Sequence, residues 1–164
     1  AGLLSDEPSI AFHVVGSGSH LEACQRRADE LGLSNLTFHG RRPVEDMPAY
    51  YAASDAMLVT FEPSPMADYT LPRKATTYLA AGRPVLAALE GETRRVLDDA
   101  GCGMCCGTAD ADGLARIARA FAALPESEKS RMGEAARAYY LAHFTKSRFL
   151  DELEGLLAEL DKER

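Results

Sequence analysis

The chain has 164 residues, of which 46% are apolar, and its 18 basic and 25 acidic side chains give a formal charge of −7. This length fits one domain with a full hydrophobic core, and the negative charge argues against nucleic acid as a partner. The sequence contains neither the roughly 20 consecutive apolar residues of a membrane span nor a signal peptide, so we predict a cytoplasmic protein without a transmembrane segment.

The first part of the sequence alternates short apolar runs with short helical patterns. The first run reads SIAFHVVGSG, and the later runs are NLTFHG, DAMLVTF, PVLAAL and GMCCG. Strands that alternate with helices of about ten residues are typical of βαβ units and a parallel sheet. We predict an α/β fold with a Rossmann-like, doubly wound parallel sheet, in which the first strand is buried.

Three of the four cysteines, Cys102, Cys105 and Cys106, lie in one short apolar run that contains a C-x-x-C pattern. A redox or zinc site is one interpretation, but zinc needs a second pair of ligands at similar spacing, which the sequence lacks. The other interpretation is a buried strand that uses cysteine as a small apolar residue. We favour the strand and expect no metal site.

From Asp110 onward the pattern becomes helical and predicts three consecutive helices, which are extra to the sheet. The last of them carries a stripe formed by Leu150, Leu153, Leu157 and Leu160. We expect this helix either to fold back onto the domain or to mediate self-association.

Ligands of open parallel sheets bind beyond the carboxyl ends of the strands. The segment GSGS after the first strand allows close backbone approach to an anion at a helix start. It is an incomplete dinucleotide fingerprint because Leu21 occupies the last position, and a simple strand-to-helix turn is the alternative. After the second strand, Arg41 and Arg42 could contact a phosphate or a base, or form a solvated pair.

The third strand is followed by the long loop EPSPMADYTLPRK, in which Pro72 introduces a helix and Lys74 falls in its first turn. A cation there opposes the helix dipole, which suits the binding of an anion better than the stability of the helix. This pattern predicts a diphosphate site. After the fourth strand, Glu90 and Glu92 begin a helix, where acidic residues are common as caps.

Together these segments resemble the carboxyl-terminal, donor-binding half of a GT-B type glycosyltransferase of the retaining group 1 family. The resemblance runs from Ile10 to Phe144 and is carried by FHVVGSG, LTFHGRRPVEDMPAYYAASDAMLV, LPRKATTYLAAGRPVLA, GET, AGCG and DADGLARIARAF. It implies a nucleotide-diphosphate sugar, a UDP- or GDP-sugar, as donor substrate, with no cofactor and no metal. It further implies hexosyl transfer in polysaccharide or glycoconjugate biosynthesis.

The resemblance also assigns donor-site residues by position, although it names no catalytic residue. Many members of the family carry two glutamates in this region, the second of which contacts ribose, and here Tyr69 and Thr77 stand at about those positions. The implied set consists of the glycine turn Gly16, Ser17 and Gly18; Arg41, Arg42 and Thr77 near the base and ribose; Thr70, Leu71 and Lys74 near the diphosphate; and Glu62 and Tyr69 in the loop.

The family's donor half normally opens with a further strand and is preceded by an acceptor-binding domain, neither of which the resemblance places here. We therefore expect residues 1–164 to be a single nucleotide-sugar-binding domain, either a fragment or one subunit of a split enzyme, whose partner is the missing acceptor-binding domain. Any peripheral association with a membrane would then involve the missing acceptor-binding domain or other parts outside residues 1–164. We expect little or no transfer activity from the isolated chain.

Two alternatives stay open at this point. A non-catalytic or degenerate module with the same fold is compatible with Thr77 in place of the glutamate. A nicotinamide-linked oxidoreductase would need an acidic residue at the end of the second strand, where Gly40 and Arg41 stand instead.

Overall fold

A computed structural model describes residues 1–162 and the side chains of residues 1–160. The strands are β1 (Phe12–Val15), β2 (Leu36–Gly40), β3 (Met57–Thr60), β4 (Val85–Ala88) and β5 (Gly103–Cys106). The α-helices are α1 (Leu21–Glu30), α2 (Met47–Ala53), α3 (Arg73–Ala80), α4 (Gly91–Ala100), α5 (Ala111–Ala122), α6 (Glu126–His143) and α7 (Lys146–Lys162). Short 3-10 turns lie at Gly2–Leu4, Val44–Asp46 and Ala67–Tyr69.

All strand pairs are parallel, which confirms the predicted α/β class. In the residues that the structure describes, the strands form two ladders, β1–β2 and β3–β4–β5. Phe12 pairs with Leu36 in the first ladder, and Met57 pairs with Val85 in the second. Because the strands within each ladder run in the same direction, their carboxyl ends and the loops that follow lie at one edge of the ladder.

Helices cover both faces of the three-stranded ladder, as a doubly wound fold requires. Val85 and Ala87 of β4 belong to a core with residues of α3, α4 and α6. Leu86, between them, faces the other way into a second core with Leu4 and residues of α5 and α6. This alternation arises because successive strand side chains point to opposite faces of a sheet.

Burial of the first strand was predicted wrongly. β4 is buried along its whole length, but His13 and Val14 of β1 are exposed, Val14 by 39%. The physical reason is that strand side chains are buried only where other elements pack over the ladder, and among the residues of β1 only Phe12 packs against a buried core cluster.

The predicted cysteine strand is confirmed as β5, with Cys102 and Cys106 buried. Burial raises the pKa of Cys102 to about 12 and that of Cys105 to about 11. A thiol that is protonated at neutral pH is a poor nucleophile and a poor metal ligand. These side chains therefore act as core residues of the ladder.

The three predicted carboxyl-terminal helices are present as α5, α6 and α7. In α5, the carboxylate of Asp110 accepts a hydrogen bond from the amide of Gly113 at 2.7 Å and so caps the helix. The leucine stripe of α7 faces outward, with Leu153 exposed by 41% and Leu160 by 60%. Within residues 1–162, none of the helices combines the length and the apolar character needed to cross a membrane.

Candidate functional site

The first turn of α3 is a predicted anion site that carries two cationic side chains, Arg73 and Lys74. Pro72 is its N-cap, with the extended backbone angles φ −72° and ψ 143°, and the helix begins at Arg73. The side chains of Arg73 and Lys74 are exposed, and the first turn of α3, all of which is described, contains no acidic residue. The helix dipole and two full charges therefore place positive potential at the same point.

Free backbone donors lie at the same helix end. Within residues 1–162, the amides of Leu71, Arg73 and Lys74 donate to no acceptor, whereas the amide of Ala75 donates to the carbonyl of Pro72 at 2.9 Å. The first amides of any helix lack partners inside the helix, and they bind anions readily. The structure thus brings together the predicted residues Leu71 and Lys74 with unused hydrogen-bond donors.

Thr70 is held on several sides just before this helix. Its amide donates to the carbonyl of Ala67 at 3.2 Å, and its hydroxyl donates to the carbonyl of Met66. Its carbonyl accepts a hydrogen bond from the hydroxyl of Thr93 at 2.7 Å. The end of the long loop is therefore fixed in place, although Tyr69, next to it, is 82% exposed.

Sequence reasoning missed Thr93 and Gly91, which fix the loop from the start of α4. The sequence predicts a helix cap at this segment, yet Thr93 is fully buried and Gly91 packs against Asp68. A signal was present in the spacing, because Thr93 shares the core-facing stripe of α4 with Val96 and Leu97. A threonine on such a stripe needs a hydrogen-bond partner inside the protein.

The two acidic residues at the start of α4 are paired with arginines of the same helix. Glu90 accepts from Arg94 at 3.0 Å, and Glu92 accepts from Arg95 at 2.6 Å. The hydrogen bond from Arg95 lowers the pKa of Glu92. Glu90 occupies the N-cap position without capping through its side chain, so the predicted role as a side-chain cap is wrong for this residue.

The glycine turn and the two arginines form a second group, at the end of the β1–β2 ladder. The amide of Gly16 donates to the carbonyl of Gly40 at 2.9 Å, which places GSGS beside HGRRP. Arg42 donates from Nε to the carbonyl of His39 at 3.1 Å, and its remaining guanidinium nitrogens make no hydrogen bond to residues 1–160. Arg41 and Arg42 line a surface cavity of about 650 Å³.

The predicted residues thus fall into two groups, and no hydrogen bond among the described residues links the α3 group to the β1–β2 group. The hydroxyl of Thr77 donates to the carbonyl of Arg73 at 2.9 Å, so it keeps only its lone pairs for a ligand. Glu62, Ser17 and Gly18 are exposed in their loops.

A smaller cavity of about 390 Å³ lies at the opposite edge of the ladder, where Gly82, Arg83 and Pro84 precede β4. Its arginines are engaged with the backbone: Arg83 donates to the carbonyl of Ala52, and Arg137 donates to the carbonyl of Ala80. The first contact joins the loop before β4 to α2 and the second joins α6 to α3, so this cavity has a structural explanation.

Known proteins resemble the chain both in sequence and in fold. Residues 2–123, more than half of the chain, match the family described as glycosyl transferases group 1. The probable glycosyltransferase WbjE of Pseudomonas aeruginosa is 34% identical over 109 residues, which are 65% of this chain and 27% of that protein. A GDP-mannose-dependent alpha-(1-6)-phosphatidylinositol monomannoside mannosyltransferase of Mycolicibacterium smegmatis is 28% identical over 138 residues, or 82% of this chain and 36% of that protein. The chain therefore spans well under half the length of these relatives.

Two solved structures with the same fold illustrate the similarity. Sucrose-phosphate synthase from Thermosynechococcus elongatus superposes with a TM-score of 0.78 at 21% identity, covering 98% of this chain and 41% of that chain. HepE of Anabaena, crystallised in complex with UDP-glucose, gives a TM-score of 0.78 at 20% identity, covering 96% of this chain and 43% of that chain. At such identities the similarity establishes the fold.

Proposed function

The chain belongs to the group 1 glycosyltransferases and has the fold of the carboxyl-terminal domain of GT-B enzymes, and from this premise we propose that it binds the donor substrate, a UDP- or GDP-sugar. The diphosphate of the donor is received by the first turn of α3. The sugar is transferred to an acceptor in polysaccharide or glycoconjugate assembly, and the name of the Mycolicibacterium smegmatis mannosyltransferase indicates a glycoconjugate acceptor for that relative.

One observation carries the proposal: in a chain of net charge −7, exposed cations and free amides converge at the start of α3. The amides of Leu71, Arg73 and Lys74 donate to the phosphate oxygens, and the ammonium of Lys74 supplies a full charge. Charge-assisted hydrogen bonds of this kind contribute about 1.5–3 kcal/mol each.

The same contacts promote the reaction. Negative charge develops on the diphosphate as the bond to the sugar breaks, so donors that are already in place stabilise the departing group. The chain supplies this leaving-group stabilisation, and we assign no catalytic acid, base or nucleophile to it. Three further points stay predictions: the donor binds without a metal, the configuration at the anomeric carbon is retained, and the protein is cytoplasmic.

In this proposal, the base and ribose of the donor nucleotide lie towards the glycine turn and the two arginines at the end of the β1–β2 ladder. Arg41 and Arg42 border the 650 Å³ surface cavity and offer planar donors to a base edge or a phosphate. Thr77 accepts a hydrogen bond from a ribose hydroxyl through its lone pairs. We also propose that a separate domain binds the acceptor, and that the isolated chain therefore has little or no glycosyl-transfer activity.

The experiment is a calorimetric titration of the purified chain with UDP, GDP, ADP, uridine and NAD. The proposal predicts that UDP or GDP binds with a clear preference over ADP and NAD, and that uridine, without the diphosphate, binds at least tenfold more weakly than UDP. Equal binding of uridine and UDP would show that the α3 turn does not hold the diphosphate.

The second candidate is a module that kept the fold and lost the donor site. The observation that favours it is the hydrogen bond from the Thr77 hydroxyl to the Arg73 carbonyl, which uses the one hydrogen of that hydroxyl. Thr77 stands at about the position where the family resemblance implies a glutamate. The absence of binding for every nucleotide in the titration would favour this candidate.

A further inference from the structure

We infer that Thr93 is a positioning residue of the donor site, because its hydroxyl orients the peptide between Thr70 and Leu71 so that the Leu71 amide faces the donor diphosphate. This inference rests on the proposed function and assigns one residue to that same site. Thr93 lies in α4, 23 residues from Thr70 in sequence, and the resemblance gave it no role.

The geometry starts from the contact between the two threonines. Thr93 Oγ1 donates to the carbonyl oxygen of Thr70 at 2.7 Å, a short and well-formed hydrogen bond. Among residues 1–160, Thr93 is the only polar residue whose side chain is fully buried. A buried hydroxyl is costly unless it is hydrogen-bonded, so the contact persists while α4 is folded.

The planarity of the peptide bond carries this constraint to the next residue. In a trans peptide the carbonyl of one residue and the amide N–H of the following residue point in opposite directions. Because the Thr70 carbonyl points inward to Thr93, the Leu71 N–H points away from the core. That amide donates to no acceptor within residues 1–162.

The adjoining backbone is constrained as well, so the peptide cannot rotate easily. The amide of Thr70 donates to the carbonyl of Ala67 at 3.2 Å, and Pro72 restricts Leu71, the residue before it, to extended backbone conformations. The amide of Leu71 is therefore oriented before any ligand arrives. A donor that is oriented in advance binds a phosphate oxygen with less loss of entropy.

The test compares UDP affinity in the wild-type chain with that in Thr93→Val, Thr93→Ser and Val96→Ala, with the Leu71 amide followed by ¹⁵N NMR. Valine keeps the shape of threonine and removes the hydroxyl, whereas serine keeps the hydroxyl. Val96 is buried on the same face of α4 and does not contact Thr70 through a hydrogen bond, so its variant controls for lost stability.

We expect Thr93→Val to lose at least fivefold in UDP affinity and to lose the UDP-induced shift of the Leu71 amide. Thr93→Ser and Val96→Ala, although less stable than the wild type, should bind UDP within about twofold of it. Wild-type affinity in Thr93→Val, or an equal loss in Val96→Ala, would overturn the inference and leave the proposed function standing. If the wild-type chain bound GDP in place of UDP, the same comparison would be made with GDP. If it bound neither nucleotide, the proposed function would fail, and this inference with it.

Discussion

The backbone of Gly91, at the start of α4, lies so close to Asp68 that a β-carbon built on Gly91 would be 2.3 Å from the Asp68 Cα. Gly91 also has a positive φ of +74°, which favours glycine. The long loop between β3 and α3 is therefore held against α4 by a contact that only a residue without a side chain permits.

Substitution of Gly91 by alanine should displace this loop. We expect Gly91→Ala to lower the free energy of unfolding by about 2–4 kcal/mol, through the positive φ and the clash with backbone. The matched control is Gly101→Ala, where φ is +61° and no atom lies within 4 Å of the added carbon. Urea denaturation of both variants would measure the difference, and equal losses would show that the contact with Asp68 adds nothing.

The α3–α6 contact depends on a second glycine, Gly133, whose built β-carbon would lie 2.6 Å from the carbonyl oxygen of Gly82. We expect Gly133→Ala to destabilise the domain by about 1–3 kcal/mol, because neither backbone can move without disturbing the packing. Gly155→Ala, in an open part of α7, should instead be neutral or stabilising by up to about 1 kcal/mol. Thermal unfolding of the two variants would contradict this account if Gly133→Ala were as stable as the wild type.

The sequence predicted those features that depend on local periodicity and missed those that depend on contact between distant segments. The β4 strand, the cysteine strand and the cationic entry to α3 each lie within one short run of residues, and the structure contains all three. The hydrogen bond between Thr93 and Thr70 joins residues that only the tertiary fold brings together. Exposure of Val14 likewise depends on which elements pack over β1, which no periodicity reveals.

The buried thiols should make the domain less stable at alkaline pH. Burial raises the pKa of Cys102 from 9.0 to about 12 and that of Cys105 to about 11, so the folded state keeps protons that the unfolded chain releases. Their stabilising effect is complete below pH 9 and is lost as the pH rises towards 11 and 12. Each thiol can contribute a slope of up to about 1.4 kcal/mol per pH unit in this window.

Urea denaturation between pH 8 and pH 10.5 would measure that slope in the wild type, Cys102→Ala and Cys24→Ala. Cys24 is exposed, so its replacement should leave the slope unchanged, whereas Cys102→Ala should reduce it. The same slope in all three proteins would argue against a role for the buried thiol.

Replacement of Thr77 by glutamate should strengthen donor binding. The hydroxyl of Thr77 already donates to Arg73, and a carboxylate would accept hydrogen bonds from both ribose hydroxyls. We expect Thr77→Glu to bind UDP three- to tenfold more tightly than the wild type. The 2′,3′-dideoxy analogue of UDP should show no such gain, and an equal gain for both nucleotides would place the new carboxylate away from the ribose.

The most direct test of the donor-site proposal is calorimetric titration of UDP and GDP into Lys74→Ala and Lys146→Ala. Both lysines are exposed and lie in the first turn of a helix, so the two variants lose the same charge in similar settings. If the diphosphate binds at α3, Lys74→Ala should lose about tenfold in affinity, which is about 1.4 kcal/mol, and Lys146→Ala should bind like the wild type. Equal affinities in the wild type and Lys74→Ala would contradict the proposal that α3 receives the diphosphate.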